Sequence, residues 1–312
     1  MKKLIVLLLI IFSLGLYTSC EVVKDKDLEN ISLIMPSGTP SLALANYAVD
    51  LKEKGGTVDI VAGADLLVAA FNQESYDVIV APVNLGAKMY NASGKYLLYK
   101  TIVWGNLYLV SKQELNSLDD INNKEVVVFG KNSTPDIVFQ TILKNHPELK
   151  VNISYVSDVS EANTLLASNQ ADYVISAEPA ISKLKAKLNL NIIDLQDEWK
   201  NITKDSSYYP QAGIFVRKSL AEEEYVKSAL NKMKVSVLSA LANPEKTAIN
   251  AVNLHQSFKT LGFETLISAI RNCHFAVKND EQEAVYYYLQ MMIDLGFGAQ
   301  TGGKLPDEDF FY

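Results

Sequence analysis

The chain has 312 residues, with Lys+Arg 29 against Asp+Glu 36 for a net charge of −7, and 48% of its residues are hydrophobic. That length fits about two domains, and the composition supports buried cores, which excludes a disordered polar tract and a polytopic membrane protein. The acidic balance argues against nucleic-acid binding, which needs a dense basic surface, and 2 Cys cannot by themselves build a disulfide framework or a four-ligand zinc site.

Lys2 and Lys3 precede an apolar run from Leu4 to Tyr17, interrupted only by Ser13 and Gly15. The run is too short to cross a bilayer core of about 30 Å, and its basic start and small-residue end are those of an export signal. Cys20 directly follows Thr18 and Ser19, which resembles the lipobox of bacterial lipoproteins, with Tyr17 standing where Leu is usual. The resemblance implies a signal peptide over residues 1–19 and a palmitate-type lipid attachment at Cys20. It also implies a body held on the extracytoplasmic face of the cell membrane. Residues 20–30 are charged with little apolar periodicity and read as a tether.

The body alternates short apolar runs with helical patterns, the sequence form of a mainly parallel sheet with helices on its faces. Ile31–Met35 reads as a strand and Ser41–Val49 as a helix. Val58–Val61 follows as a strand, Ala64–Asn72 as a helix, and Tyr76–Ala81 as a strand that turns at Pro82, Val83 and Asn84. Lys95–Ser111 reads as two strands meeting near Trp104, Gly105 and Asn106. A second series repeats the design: strand Lys124–Phe129, helix Asp136–Lys144, strand Ile153–Val156, helix Glu161–Ser168 and strand Ala171–Ser176. A helix over Glu178–Leu188 and a strand over Ile192–Leu195 end that series. Trp199–Gln211 reads as a loop and Ala212–Arg217 as a strand. Ser219–Leu295 is helical, broken at Pro244 and Gly262, and Gly296–Tyr312 is a loop.

Two segments match each other: Ser37-Gly38-Thr39-Pro40 and Asn132-Ser133-Thr134-Pro135. Each ends a strand and opens a helix, with Thr suited to capping and Pro tolerated in the first turn. Helix N-termini carry about half a positive charge, and open α/β sheets bind ligands beyond the carboxyl ends of their strands. Each segment alone is also accounted for by ordinary capping.

In the order and spacing of these segments the chain resembles the type II periplasmic-type solute-binding proteins of ABC importers, in the branch of nitrate, sulfonate, taurine and thiamine-pyrimidine binders. The residues concerned are Cys20, MPSGTPSLALA (35–45), YDVIVAPVNLGAKM (76–89), SLDDINNKEVVVFGKNSTPD (117–136), ANTLLASNQADYVISAEPAI (162–181) and GGKLPDEDFFY (302–312). The resemblance implies an α/β fold of two lobes, residues 31–105 with 213–312 and residues 106–212, joined by two hinge crossings. It implies a monomer that captures a small molecule, an anion or a heterocycle, by hinge closure and delivers it to ABC permease subunits. It implies no enzymatic activity, no cofactor, no metal and no nucleic-acid partner. A pyrimidine-synthase-like enzyme of the same fold, or a sensing or adhesive surface lipoprotein, is the alternative.

The ligand-binding candidates are Ser37, Gly38, Thr39, Ser133 and Thr134 as hydroxyl and N–H donors, Gly63 for close backbone approach, and Asn84 as donor and acceptor. Trp104 reads either as a stacking surface or as core. Glu178 reads either as an acceptor for a ligand N–H or as a helix-start carboxylate. Tyr208, Tyr209 and Gln211 read as a cover for the cleft or as loop. Arg217 and Arg271, the only arginines, fall at no expected cleft edge, which disfavours a bidentate clamp on an anion. Cys273 reads as a core residue; beside His274 and with His255 it lacks a fourth metal ligand.

Overall fold

A computed structural model describes residues 31–203 and 208–312. The expected export signal, the Cys20 attachment point and the tether lie outside them. Among the described residues no helix is long and apolar enough to cross a membrane.

The first half builds β1 (Ser32–Pro36), α1 (Thr39–Ala43), α2 (Ala45–Glu53), β2 (Thr57–Val61), α3 (Asp65–Gln73), β3 (Val78–Pro82), α4 (Val83–Ser93) and β4 (Tyr96–Val103). β3 is apolar without alternation and buried over Val78–Ala81, as expected of a parallel strand covered on both faces. The sheet runs β2-β1-β3-β10-β4, where β10 (Ala212–Arg217) is inserted antiparallel between β3 and β4.

A second sheet follows: β5 (Leu107–Ser111), β6 (Glu125–Phe129), α5 (Thr134–Lys144), β7 (Asn152–Val156), α6 (Val159–Ala167), β8 (Tyr173–Ala177), α7 (Ala180–Lys185), β9 (Asn191–Asp194) and α8 (Leu195–Thr203). Its order is β7-β6-β8-β5-β9, with β5 antiparallel to both neighbours. The chain then returns to the first lobe through α9 (Glu224–Ala242), α10 (Pro244–Leu254), α11 (Gln256–Leu261), α12 (Phe263–Asn272) and α13 (Gln282–Met292). Pro244 starts a helix and Gly262, at φ 86°, separates two.

Two segments differ from the sequence reading. Residues 83–93 form α4 where a turn was expected. Gly86, which lowers helix propensity, sits where a Cβ would collide with the Phe215 ring, so the glycine lets α4 lie against β10. Residues 195–203 form α8, taking in the end of the expected strand Ile192–Leu195 and the start of the expected loop Trp199–Gln211. Its polar composition hides a buried Leu195–Trp199 pair four residues apart, and the Asp194 carboxylate accepts the N–H of Gln196 at 2.8 Å as a cap. The helix after Pro179 is also shorter than expected, starting at Ala180 and ending at Lys185.

Candidate active site in the interlobe seam

The chain passes between the sheets at Trp104–Asn106 and again at Tyr209–Gln211. Gly105 takes φ +93°, and a Cβ there would meet Gln196 Cγ at 2.4 Å and Tyr209 Cζ at 2.9 Å. Gln196 Oε1 accepts from Leu107 N at 2.7 Å and from the Tyr209 hydroxyl at 2.6 Å, tying both crossings to one side chain. Trp104 is buried at 1% exposure. Its ring nitrogen donates to Ala276 O at 3.3 Å and Lys278 Nζ lies 3.6 Å from a ring centroid, so it packs inside the first lobe and presents no stacking face. Just before this crossing both oxygens of Glu281 accept the N–H of Thr101, at 3.1 and 3.0 Å. Burial pushes the Glu281 carboxyl up to about 7, against the opposing influence of that N–H and of Lys100 and Lys278.

Polar side chains of both lobes meet beside the crossings. Thr39 does not cap its own helix; Gly38 stands at that position. Its Oγ1 instead donates to Glu178 O at 2.9 Å and accepts from Asn106 Nδ2 at 2.6 Å. The Glu178 carboxylate accepts from Ser182 Oγ and from Asn272 Nδ2, each at 2.9 Å, and from Ser182 N at 3.4 Å. Tyr108 donates to Asn272 O at 3.0 Å. Burial pushes the Glu178 carboxyl upward, and the Asn272 and Ser182 hydrogen bonds oppose this. Cys273 is buried as expected, but at this seam: burial and the neighbouring Glu178 raise its thiol well above the usual range, while Thr39 opposes them.

Glu178 forms one wall of a cavity of about 270 Å3 with Tyr108, Ile181, Lys185, Ile192, Asp194, Arg271, Asn272 and His274. Lys185 and Arg271 face it from opposite lobes, and His274 Nε2 lies 3.7 Å from Asp194 Oδ2 across it. Arg271 therefore does reach the cleft, contrary to the sequence reading, although Glu245 holds its Nη2 at 2.7 Å. Arg217 pairs with Asp77. A larger cavity of about 740 Å3 lies on the outer face of the first lobe, away from these groups. The smaller one is the candidate site because it joins a buried carboxyl to cationic groups of both lobes.

Further buried polar atoms have no partner among the described residues: Asn84 Oδ1, Asn106 Oδ1, Ser176 Oγ and Gln211 Oε1. They belong to a strand end, to the crossings or, for Asn84, to the first turn of α4. Such atoms cost about 1–3 kcal/mol each when nothing meets them, and a bound ligand or water relieves that cost.

The remaining sequence candidates fall as follows. Ser37 N donates to Val61 O at 2.8 Å. Gly38 has φ 115°, and Gly63 and Ser133 are exposed. Asn84 donates to Gln300 O at 3.5 Å. Thr134 is buried and interacts with Tyr288. The two Thr-Pro turns thus meet different partners. The α5 start is already occupied by buried Asp136, which accepts from Asn132 N at 2.8 Å, Tyr155 at 2.9 Å and Gln140 at 2.7 Å. Tyr208 packs its ring 4.4 Å from His274, and Tyr209 is buried in the crossing. Sequence reasoning passed over Lys185, Asn272 and Asp194. The run Arg271-Asn272-Cys273-His274, polar at the end of an amphipathic helix, was the available signal.

No curated protein matches the chain. Among solved structures it is similar to an ABC transporter protein from Parabacteroides distasonis, at 22% identity over 91% of this chain and 99% of that one, TM-score 0.76. It is similar to the periplasmic aliphatic sulphonate binding protein SsuA from Escherichia coli, at 13% identity over 91% and 92%, TM-score 0.70. It is also similar to the zinc-bound ligand-binding component of an ABC-type import system from Staphylococcus aureus, at 12% identity over 90% and 96%, TM-score 0.64. These likenesses bear out the two-lobed periplasmic binding protein fold. A family model described as menaquinone biosynthesis matches residues 64–294. That match overturns the expectation that the chain has no enzymatic activity, and it favours the same-fold enzyme over a pure carrier. Spanning most of both lobes, it shows that the chain belongs to the menaquinone biosynthesis family.

Proposed function

We propose that this chain is an enzyme of menaquinone biosynthesis that holds a small anionic precursor in the interlobe cavity and moves a proton with Glu178. The observation that carries this reading is the Glu178 carboxyl, buried at 4% exposure in the cavity wall, with Lys185 of its own lobe and Arg271 of the other lining the same cavity. A carboxyl that burial pushes upward takes a proton more readily than an ordinary one and can give it back. The two cations anchor a carboxylate and stabilise the negative charge that builds next to it when a neighbouring C–H is deprotonated. The reaction class this supports is elimination of water. Glu178 takes the proton, the C–H electron pair becomes the new C=C bond, and the β-hydroxyl departs, taking the proton back from Glu178 as it leaves as water.

The test is to incubate purified protein with hydroxylated carboxylate precursors of menaquinone and follow the ultraviolet signal of the new double bond. Conversion by the wild type and at least 100-fold slower conversion by Glu178→Gln, with binding retained, is the expected result. No conversion of any precursor, or conversion unaffected by Glu178→Gln, overturns the reading.

A second reading, capture and delivery to an ABC permease by a lipid-anchored protein, is favoured by Cys20 behind its export signal and by the Thr39–Glu178 bond that joins the lobes. Native mass spectrometry separates the two. Under this second reading a co-purified or added ligand keeps its mass, and palmitate labelling is lost in Cys20→Ser.

A further inference from the structure

The interlobe cavity contains a pair of groups that the proton transfer by Glu178 leaves unused: Asp194 at the end of β9 and His274 just after α12, one from each lobe. Both are held from behind by the crossings. Asp194 Oδ1 is committed to the start of α8, accepting from Gln196 N at 2.8 Å, Gln196 Nε2 at 2.7 Å and Asp197 N at 3.3 Å. The oxygen of the same Gln196 amide holds Leu107 N and the Tyr209 hydroxyl, so the carboxylate is fixed to both passages of the chain. On the other side, His274 O accepts the N–H of Trp104 at 2.9 Å, and the Tyr208 ring packs 4.4 Å from the imidazole.

What remains faces the cavity: His274 Nε2 and Asp194 Oδ2, 3.7 Å apart, on side chains 27% and 31% exposed and so within reach of a ligand. Neither atom has a hydrogen-bond partner among the described residues. They stand too far apart to bond each other well, yet an oxygen about 2.8 Å from each fits between them. A hydroxyl is the group that satisfies both. Its O–H donates to Asp194 Oδ2, and it accepts from the Nε2–H that an imidazole carries when charged and in one neutral tautomer. A carboxylate at this place is repelled by Asp194, and a ketone oxygen has no proton to give it. We propose that Asp194 and His274 bind a hydroxyl of the ligand and thereby select hydroxylated carboxylates over their deoxy counterparts. This inference rests on the interlobe cavity being the substrate site, with Lys185 and Arg271 taking the carboxylate. Within that reading the bound hydroxyl is the one that leaves. As its C–O bond breaks, the His274 N–H meets the charge gathering on oxygen. The oxygen keeps its own proton, receives the one that Glu178 returns, and departs as water.

The probes are 2-hydroxycyclohexane-1-carboxylate, as the better bound of its cis and trans isomers, and cyclohexanecarboxylate. Titration calorimetry on the full-length chain reads binding without turnover. The wild type is expected to prefer the hydroxylated probe about 10-fold, because the deoxy probe leaves two polar groups unmet. In His274→Phe, which keeps a ring against Tyr208, the preference is expected to fall to about twofold, through weaker binding of the hydroxylated probe alone. His274→Gln restores an N–H donor and is expected to regain a preference of about fivefold. Asp194→Asn keeps an oxygen for the α8 N–H groups, replaces the acceptor Oδ2 with NH2, and is expected to lose the preference as His274→Phe does. Equal binding of the two probes by the wild type, or no binding of either, overturns the proposal. So does an unchanged preference in either folded variant, or an equal loss of affinity for both probes in His274→Phe, which marks a structural role. If His274→Phe does not fold, Asp194→Asn decides alone. A preference that behaves as expected in a protein that converts no precursor supports the hydroxyl site and removes only the elimination reading.

Discussion

The Thr39 hydroxyl donates to the carbonyl oxygen of Glu178 at 2.9 Å, across 139 positions of sequence and between the two lobes. The same hydroxyl is the acceptor for Asn106 Nδ2 in the first crossing, so one small side chain ties both lobes and the hinge together. In Thr39→Val a buried amide N–H loses its best acceptor and the carbonyl loses a donor. The closed form is expected to lose about 1–3 kcal/mol, read as a drop in Tm and as an increase in radius of gyration by X-ray scattering. A Thr39→Val protein as compact and stable as the wild type would show that the seam is held elsewhere.

Thr134→Val gives the contrasting result. Its neighbour is Tyr288 and its helix start is already served by Asp136, so ligand affinity is expected to change less than threefold. Calorimetry of both single variants with the same ligand separates the two turns.

Gly105→Ala places a methyl group 2.4 Å from Gln196 Cγ at a φ of +93°. Strain in that backbone region and displacement of Gln196, which holds both crossings, are expected to cost about 2–4 kcal/mol. Urea denaturation measures it, and a loss below 0.5 kcal/mol would mean that the crossing rearranges freely.

Glu281 gives the pH dependence. Its carboxyl sits at about 7 in the folded chain against an ordinary 4.5, so the folded state holds the proton more tightly than the unfolded one. The resulting stability is fully present below pH 4.5 and is lost as pH rises to about 7, a total of roughly 3 kcal/mol. Glu281→Gln is expected to flatten that part of the stability–pH curve, measured by thermal unfolding between pH 4 and 8. A slope unchanged from wild type would place the titration on another group.

Arg271→Ala and Lys185→Ala each remove one cation from the cavity wall. Each is expected to raise the Kd of an anionic ligand about tenfold, with little change in Tm because both side chains reach solvent. Neutral ligands serve as the control, and an equal loss for them would point to shape and not charge.

Strand identity and order along the chain were readable because parallel strands covered on both faces leave unbroken apolar runs such as Val78–Ala81. Thr39 and Glu178 were each readable as helix-start residues, but their bond was not. It depends on how two separately folded sheets approach, and no local pattern encodes that. Arg271, Asn272 and Cys273 lay hidden for the same reason. They end a helix that reads locally as first-lobe packing, and only the return of that helix to the seam brings them to Glu178. α8 escaped notice because its buried stripe is only Leu195 and Trp199 within a polar segment.

The position of β10 between β3 and β4 sets the order in which this protein can mature. All strands of the second sheet lie within one continuous stretch, so they can pair while the rest of the chain is still being made. The first sheet is divided until residues 212–217 arrive, because β4 joins the other strands only through β10. The strands of the first sheet therefore leave the ribosome without a finished sheet of their own, which closes only after the complete second sheet and residues 212–217 have been made.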